Sequence, residues 1–429
     1  MDTQKSRSAL KAVSSTFALF FLALVVVKVL LIGDDSLVSR LILPGLIVVS
    51  VAGMVLFEEK RVPLPVETPA LSFLAAVFVF AALNGALFQG YMATSIQALL
   101  KIVTMAFVFA GSYLATLRGW GQATEKCILV IISLHVILGL VLTPFGVGFE
   151  IGGTFRPTGI TGRPQLLANI ATLGALYAAL FLTIIRGRNT TIYFTMFAVC
   201  LLFVVFSATL KNALTLLAFG TGIFLVRAAK RSISAVIVAL VFVAIFAALI
   251  TLGTGLGDRL LATAEGGLRL EVARGEELES SLIWRILHWR LLFVDWYQHY
   301  FWTGSGLGAV VHMRGLTTSS GDGFAAHSDW VGFFVELGPV LLLLFLVGIF
   351  RFWGSLSPRC ADERQYAIVT RILLALFVIM AAAGNVFYSA AFQYLFWIIA
   401  GQSAAYRWLI RDNSLLAPKS FMPVAGAVR

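Results

Sequence analysis

Charged side chains are scarce in this chain of 429 residues, of which only 12% are Asp, Glu, Lys or Arg. A typical soluble domain carries about 25% charged residues. Hydrophobic residues make up 59% of the chain, and the mean hydropathy is +0.93. No water-soluble fold buries that much apolar surface, which excludes soluble enzymes, fibrous proteins and disordered proteins. The composition predicts a polytopic membrane protein whose main solvent is the lipid bilayer.

Cysteine is also rare, since the chain contains only Cys127, Cys200 and Cys360. None of the three lies in the one long polar connection of the chain, residues 254–329. A disulfide framework in that connection is therefore excluded.

Carboxylates are almost absent from the apolar runs of the chain. Of 21 Asp and Glu residues, only Glu336 falls well inside such a run. A proton- or sodium-coupled transporter generally needs a carboxylate within the membrane, and many transporters show an internal two-fold repeat, which is not evident here. Both absences disfavour a transporter. A transporter or flippase of polysaccharide or lipid-linked oligosaccharide remains the alternative interpretation.

Apolar runs of about 17–25 residues are long enough to cross a bilayer of about 30 Å as helices. The sequence predicts an all-α fold with about twelve such spans and one large extracytoplasmic loop. The predicted limits are 13–32, 37–57, 69–88, 92–116, 127–148, 165–185, 191–207, 212–228, 233–253, 330–350, 367–385 and 389–409. The chain therefore divides into spans one to nine (1–253), the loop (254–329), and spans ten to twelve with the C-terminal tail (330–429).

The net charge of +11 is explained by membrane topology rather than by nucleic acid binding. Most Lys and Arg residues outside the large loop fall in the two terminal segments and in every second connection between spans. The positive-inside rule then predicts that both termini are cytoplasmic and that residues 254–329 are extracytoplasmic. A loop of this length is uncommon without a function.

Three parts of the large loop differ in composition. Residues 258–279 are polar, and residues 280–297 form an amphipathic pattern rich in Trp that predicts a helix lying at the membrane interface. Residues 304–323 are rich in Gly, Ser and Thr, and we expect this part to be mobile. The GSGLGA run within it lacks the spacing and context of a dinucleotide-binding motif.

Several basic residues lie on the predicted outer side, where the positive-inside rule disfavours them. Any one of them is explained by contact with lipid headgroups, but convergence from distant parts of the chain favours an anionic ligand such as a lipid phosphate or diphosphate. Arginine suits phosphate because its planar guanidinium makes bidentate contacts. These candidates are Arg156, Arg163, Lys211, Arg285 and Arg290.

His327 lies where the loop meets span ten. A neutral imidazole accepts a proton from a hydroxyl at neutral pH, so His327 is a candidate general base. The nearby Asp329 is a candidate for orienting it. A metal site of His312, Asp322 and His327 stays open as an alternative, although the spacing does not favour one.

In their order along the chain, these features resemble the bacterial O-antigen ligase and polysaccharide polymerase superfamily. The resemblance is carried by the outer loop RPTGITGRPQLLA (156–168), the basic turn at Lys211, the Arg285-x-x-x-Trp289 pattern, the glycines at 304, 306 and 308, and His327-Ser328-Asp329 followed by Glu336-Leu337-Gly338. The family commonly has Ser-Arg where this chain has Lys211.

The resemblance implies a glycosyltransferase at the periplasmic face of the bacterial inner membrane. Its donor would be a glycan on undecaprenyl diphosphate, and its acceptor a sugar hydroxyl on the lipid A core, as in a ligase, or on another lipid-linked glycan, as in a polymerase. It also implies activity without nucleotide sugar, metal or other cofactor. His327 is then the base, the five basic residues are the pool for the diphosphate, and Asp329 and Trp289 support the site.

Overall fold

The computed structural model describes residues 2–30, 38–57, 62–151, 154–185, 190–207, 209–229, 281–315, 325–382, 384–387 and 389–412. Over these residues the chain forms twelve α-helices and a two-stranded antiparallel hairpin. The helices are α1 (Asp2–Leu30), α2 (Leu43–Leu56), α3 (Thr68–Leu83), α4 (Met92–Ala115), α5 (Gly121–Leu142), α6 (Pro164–Leu180), α7 (Thr190–Phe206), α8 (Leu210–Ala229), α9 (Ser281–His299), α10 (Asp329–Ser355), α11 (Ala361–Ala382) and α12 (Ala390–Arg411). The hairpin consists of β1 (Gly148–Ile151) and β2 (Thr154–Pro157), and short π-helical turns continue α3, α4 and α6.

Six helical segments among the described residues are long and apolar enough to cross a membrane. They are Ala12–Leu30, Thr68–Phe88, Met92–Phe145, Pro164–Ile184, Asp329–Ser355 and Asp362–Ala382. Large apolar side chains such as Phe88 (80% exposed) and Phe350 (74% exposed) cover the outside of the bundle. Exposed apolar surface on this scale needs lipid around it, so the protein is embedded in a membrane.

The longest of these segments, Met92–Phe145, is interrupted at Gly119, whose φ of 88° is left-handed. As one straight helix it would extend for about 80 Å, far more than the roughly 30 Å of a bilayer core. It is therefore divided into α4 and α5, as the sequence predicted.

Eleven of the twelve predicted spans coincide with a described helix, while the ninth, residues 233–253, lies outside the described residues. The helix α2 has 14 residues and is shorter than the predicted span 37–57. The total of twelve membrane crossings stays a prediction.

The centre of the bundle is α12, in which most residues are buried and none is exposed. It packs closely on α4, where Ser112 Oγ donates a hydrogen bond of 2.7 Å to the carbonyl oxygen of Ile398. Gly401 permits this approach, because a Cβ at that position would collide with the carbonyl oxygen of Phe109. Because α12 is covered by other helices along its length, the helices around it are fixed relative to one another at both ends of the bundle.

The helix α10 is broken at Gly338, which has φ 65° and ψ 176° and precedes Pro339. Proline disfavours helical backbone in the residue before it, and a φ near 65° suits glycine. The break divides α10 into a short segment that begins at Asp329 and a longer apolar segment that ends at Ser355.

The glycine-rich run that follows α9 packs into this break. Gly304, Gly306 and Gly308 all have positive φ, and a Cβ on Gly306 would collide with the Cα of Gly85 in the π-helical turn after α3. The amide of Gly306 donates to the carbonyl oxygen of Glu336 at 3.0 Å. The expectation that residues 304–323 are mobile is therefore wrong for 304–315, because glycine here permits close backbone contact. Residues 316–324 lie outside the described residues.

The predicted amphipathic helix is present as α9. One face forms a small hydrophobic cluster with the glycine-rich run and the first part of α10, in which Leu292 and Trp296 are buried. The other face exposes large apolar side chains, among them Val294 (48%) and Tyr297 (69%). Its placement at the membrane surface stays a prediction.

Candidate functional site

His327 adopts a left-handed backbone conformation with φ 54°, the only non-glycine residue with positive φ among those described. This region is uncommon for residues with a side chain, although His, Asn and Asp enter it more readily than others. Non-glycine residues in such conformations cost of order 1–3 kcal/mol and cluster at functional sites. The strain therefore marks His327 as a candidate functional residue independently of its chemistry.

Two neighbours hold the backbone on either side of His327. Trp289 Nε1 donates a hydrogen bond of 2.5 Å to the carbonyl oxygen of Ala326. Ser328 caps α10, because its Oγ accepts from the amide of Val331 at 3.4 Å. The conformation of His327 is thus set by α9 and by the start of α10.

Asp329 joins the start of α10 to the connection between α11 and α12. Its Oδ2 accepts hydrogen bonds from the amides of Val386 (2.6 Å) and Phe387 (2.7 Å), and its own amide donates to the carbonyl oxygen of Gly384 at 3.2 Å. The sequence analysis expected Asp329 to orient His327. These contacts fix the connection 384–387 to the start of α10, and the orienting role of Asp329 stays a prediction.

Three basic side chains from two further elements surround His327. Burial, together with the charges of Arg285, His288 and Lys211, lowers the pKa of His327 to about 4. A histidine with this pKa is neutral at physiological pH and has a lone pair available to accept a proton. We call Lys211, Arg285 and His288 the cationic cluster.

The local sequence explains how α9 supplies its part of this cluster. Arg285, His288 and Trp289 are spaced i, i+3 and i+4, which places them on one face of a helix. His288 is 1% exposed and Arg285 is half-buried. Burial lowers the pKa of the Arg285 guanidinium.

Lys211 reaches the cluster from the first turn of α8. The next residue, Asn212, donates hydrogen bonds to Asn169 Oδ1 (3.0 Å) and Thr172 Oγ1 (2.8 Å) on α6. Gly384 gives Lys211 room, because a Cβ at that position would collide with Lys211 Nζ. The site thus combines groups from α8, α9, α10 and the connection between α11 and α12.

Arg156 and Arg163 lie near the start of α6. Arg156, on β2, is 6% exposed, and its Nε and Nη2 have no hydrogen-bond partner among the described residues. Arg163 is exposed and directly precedes α6. Asn169, which contacts α8 beside Lys211, follows Arg163 by about 9 Å along the helix axis. Both arginines are therefore at the same end of the bundle as the cationic cluster.

Arg290 lies away from the cluster. It follows Arg285 by five residues, which turns it by about 140° around the helix, and its side chain is exposed. It lines an open apolar groove with Phe293, Tyr297 and Phe334. The structure thus groups Arg285 with His327 and separates Arg290 from them.

The alternative metal site is not assembled by the described residues. Among them, no group of three His, Cys, Asp or Glu side chains lies close enough to hold a metal ion. His312 is exposed and stacks on Tyr91, with ring centroids 5.0 Å apart. Asp322 lies outside the described residues, so activity without a metal stays a prediction.

A cavity of about 280 Å³ lies beside residues 326–328. Ala326 and Ser328 line it, whereas His327 does not. Further walls come from α4, the glycine-rich run and the short first part of α10. The polar side chains that reach it include Gln97, Lys101 and Glu336.

The sequence analysis did not identify two features of this site. His288 was not selected, although its spacing from Arg285 on a predicted helix was a usable signal. The connection 384–387 carried no signal, because its role depends on backbone amides that any residue except proline supplies.

No protein-family model matches this chain, and no curated protein matches it.

Proposed function

We propose that this protein is a membrane glycosyltransferase that moves a glycan from undecaprenyl diphosphate to a sugar hydroxyl. The observation that carries this proposal is the strained, neutral His327 held among Lys211, Arg285 and His288. A base beside cations suits a reaction in which a hydroxyl loses a proton while an anionic group leaves.

In the proposed reaction, the acceptor oxygen attacks the anomeric carbon of the donor sugar. The bond from that carbon to the diphosphate oxygen breaks, and its electron pair leaves with the diphosphate. The proton of the acceptor hydroxyl passes to His327. The negative charge that builds on the diphosphate is stabilised by preorganised cations.

The cationic cluster provides this stabilisation from Lys211 and Arg285. Arg156 adds a buried guanidinium with two unpaired nitrogens at the same end of the bundle, which is suited to an anion. Arg163 is exposed there and is assigned to the outer part of the diphosphate. Arg290 lies in the apolar groove on another face of α9, so its place suits the isoprenoid chain or a lipid headgroup rather than the diphosphate at the cationic cluster.

Donor binding also improves the base. Neighbouring cations lower the pKa of His327, and a bound diphosphate neutralises part of their charge. The pKa of His327 should then rise toward the ordinary value of about 6.5, which makes the imidazole a stronger base in the loaded enzyme. The base is thereby coupled to the presence of its substrate.

The proposed location is the bacterial inner membrane, with both termini cytoplasmic and the site at the periplasmic face. The distribution of Lys and Arg supports this orientation. The acceptor is either the lipid A core, as in an O-antigen ligase, or another lipid-linked glycan, as in an O-antigen or exopolysaccharide polymerase. A deletion strain separates the two: loss of a ligase leaves long lipid-linked polymer and bare core, whereas loss of a polymerase leaves cores capped by one repeat or no secreted polymer.

The direct test is transfer by the purified protein, given a defined lipid-linked glycan and a defined acceptor in detergent. His327→Asn is the informative variant, because Asn tolerates left-handed backbone but supplies no base. We expect transfer to fall by about 10²–10⁴-fold, with donor binding preserved.

His312→Asn is the matched control, since His312 is an exposed histidine outside the cationic cluster, and it should transfer at the wild-type rate. Near-normal transfer by His327→Asn would remove His327 from the chemistry, and lost donor binding would make it a phosphate ligand. If the wild type moved the lipid-linked glycan across a vesicle membrane without forming a product, the protein would be a transporter instead.

A further inference from the structure

The cavity beside residues 326–328 has the character of a binding site for a neutral polar molecule. The residues that line it include the basic Lys101 and the acidic Asp329 and Glu336. Gln97 and Asn385 add amides, each of which both donates and accepts hydrogen bonds. No single sign of charge dominates this wall.

The mixture of acidic and basic residues in the cavity distinguishes it from the cationic cluster. A diphosphate in the cavity would lie beside the acidic Glu336, and like charges at close range are unfavourable in a low-dielectric site. A simple cation would face Lys101 in the same way. A sugar offers hydroxyls that both donate and accept, and it carries no charge to oppose either group.

The size of the cavity limits its occupant. Its volume of about 280 Å³ is just below the range of about 300–1,000 Å³ that is typical of pockets for drug-sized molecules. This is room for one sugar ring rather than for an oligosaccharide. The apolar wall, which includes Ala98, Val310 and Ala325, suits the C–H surfaces of such a ring.

The position of the cavity gives that ring a place in the reaction. Ala326 and Ser328 line the cavity, while the residue between them, His327, faces the charges of Lys211 and Arg285. The cavity and the cationic cluster therefore both adjoin the short segment 326–328. A ring in the cavity is next to the residues that flank the base, and its reacting hydroxyl must extend beyond the cavity to reach His327 and the donor.

We propose that this cavity is the acceptor subsite and holds the single sugar ring whose hydroxyl is glycosylated. Gln97, Glu336 and Asn385 bind the ring hydroxyls, and Ala325 limits the size of the ring. The assignment of this sugar as an acceptor rests on the proposed transferase function. The binding of a saccharide in the cavity does not depend on that function, and it is measured in a separate experiment.

The binding experiment uses methyl glycosides of glucose, galactose and N-acetylglucosamine with the purified full-length protein in detergent. Saturation-transfer NMR reports which glycosides contact the protein. We expect at least one to bind in the millimolar range, and Gln97→Ala and Ala325→Phe to weaken its binding by at least tenfold. Gln298→Ala is the matched control, because Gln298 is an exposed glutamine in the other groove, and it should bind as the wild type does.

The kinetic experiment measures transfer at varied acceptor concentration. Gln97→Ala should raise the acceptor KM by about tenfold and leave the donor KM unchanged, while Glu336→Gln should have an effect of similar direction. Thermal melting of each variant shows whether it is folded. Gln97 is exposed whereas Glu336 is buried, so we expect Gln97→Ala to disturb the fold less than Glu336→Gln.

The outcomes separate the two proposals. If no glycoside binds the wild type, or if Gln97→Ala and Ala325→Phe leave binding unchanged, the cavity is not a saccharide site. Displacement of a glycoside by inorganic diphosphate through the same residues would make the cavity an anion site and also overturn the inference. Glycoside binding at the cavity without transfer by the wild type would retain the saccharide site and reject the transferase.

Discussion

His327 carries two free-energy costs that an ordinary loop histidine avoids. Its backbone is left-handed, and its half-buried imidazole lies among basic groups that oppose its protonation. The hydrogen bond that Trp289 donates to Ala326, and those that the amides of Val386 and Phe387 donate to Asp329, offset these costs. A side chain held in place at such cost is preorganised, as the proposed role of His327 as a base requires.

The pH dependence of transfer should report this environment. A base acts when neutral, so activity is retained above its pKa and lost as the pH falls through it. For the free enzyme, measured as kcat/KM for the donor, the loss should be centred near pH 4 rather than near 6.5. For the loaded enzyme, measured as kcat, the loss should occur at higher pH, because the bound diphosphate offsets the cationic cluster.

Arg285→Gln removes one of the charges that lower the pKa of His327. The fall of kcat/KM at acid pH should therefore occur at a higher pH in this variant than in the wild type. Arg314→Gln is the control, because Arg314 is 82% exposed and is not among the charges that act on His327. An acid limb near pH 6.5 in the free wild-type enzyme would contradict the environment described for His327.

At the scale of elements, the glycine-rich run allows neighbouring helices to pack closely. Three of its glycines have positive φ, and they contact the turn after α3, the break in α10 and the N-terminal part of α4. Ser95 Oγ on α4 donates to the carbonyl oxygen of Leu307 at 3.0 Å. The run therefore connects three helices with the segment that carries His312.

Gly306→Ala should be strongly destabilising because it adds a collision with Gly85 to the cost of a positive φ. Gly90→Ala isolates the second effect, since Gly90 has φ 76° but nothing within 4 Å of an added Cβ. The conformational cost alone is about 1–2 kcal/mol, so Gly90→Ala should lower the melting temperature in detergent only modestly. Equal losses for the two variants would mean that the contact with Gly85 contributes nothing.

The sequence predicted the elements well and their interruptions poorly. The apolar runs gave the helices because period and length follow from the residues themselves. The break at Gly338 was read as part of one span, since a Gly-Pro step within an apolar run still leaves enough length to cross a bilayer. The run from Gly304 was expected to be mobile because its composition does not reveal that Gly85 packs against it.

The candidate site was predictable only where the residue type and its position in the sequence were themselves unusual. His327, Lys211 and Arg285 were identified as unusual residue types at unusual positions, and the structure brings them together. The role of Asp329 was not predictable, because its partners are backbone amides 57 and 58 residues away. Gln97 and Lys101 line the cavity because the glycine-rich run packs against the N-terminal part of α4.

At the scale of the whole molecule, the end opposite His327 contains a different kind of polar network. Arg407 Nη1 and Glu67 Oε1 are 2.5 Å apart, and both side chains are almost fully buried. Arg407 Nη2 also donates to the carbonyl oxygen of Ser355 at 3.0 Å. These contacts join the far ends of α10 and α12 to the start of α3, about 30 Å from the site by the length of α12.

Arg407→Ala should be severely destabilising, because it leaves the Glu67 carboxylate buried without its cation, a change that costs about 3–5 kcal/mol. Replacing both partners, as in Glu67→Met with Arg407→Met, should recover part of the loss. The control is Arg371→Ala, whose hydrogen bond to Ser357 Oγ is exposed and should contribute about 1 kcal/mol or less. Thermal melting in detergent measures all three, and equal losses for Arg407→Ala and Arg371→Ala would refute the argument.

The orientation of the whole molecule is testable with the cysteines of the chain. Cys360 is exposed in the turn between α10 and α11, whereas Cys200 is buried. A membrane-impermeant maleimide should label Gln298→Cys on intact spheroplasts in a Cys360→Ser background. Native Cys360 should label only after permeabilisation, and the reverse pattern would place the site on the cytoplasmic face.

The contacts of the glycine-rich run also have a consequence for the order of assembly. Asn84 Nδ2 donates to the carbonyl oxygens of Thr303 and Gly304, which lie 219 and 220 residues later in the chain. Contacts of such separation close late, because the intervening chain must first be ordered. A ribosome that has released only α1 to α8 has therefore delivered Gln97, Lys101 and Lys211 to the membrane without Arg285, His288 or His327, so the candidate site is assembled only when the later helices pack.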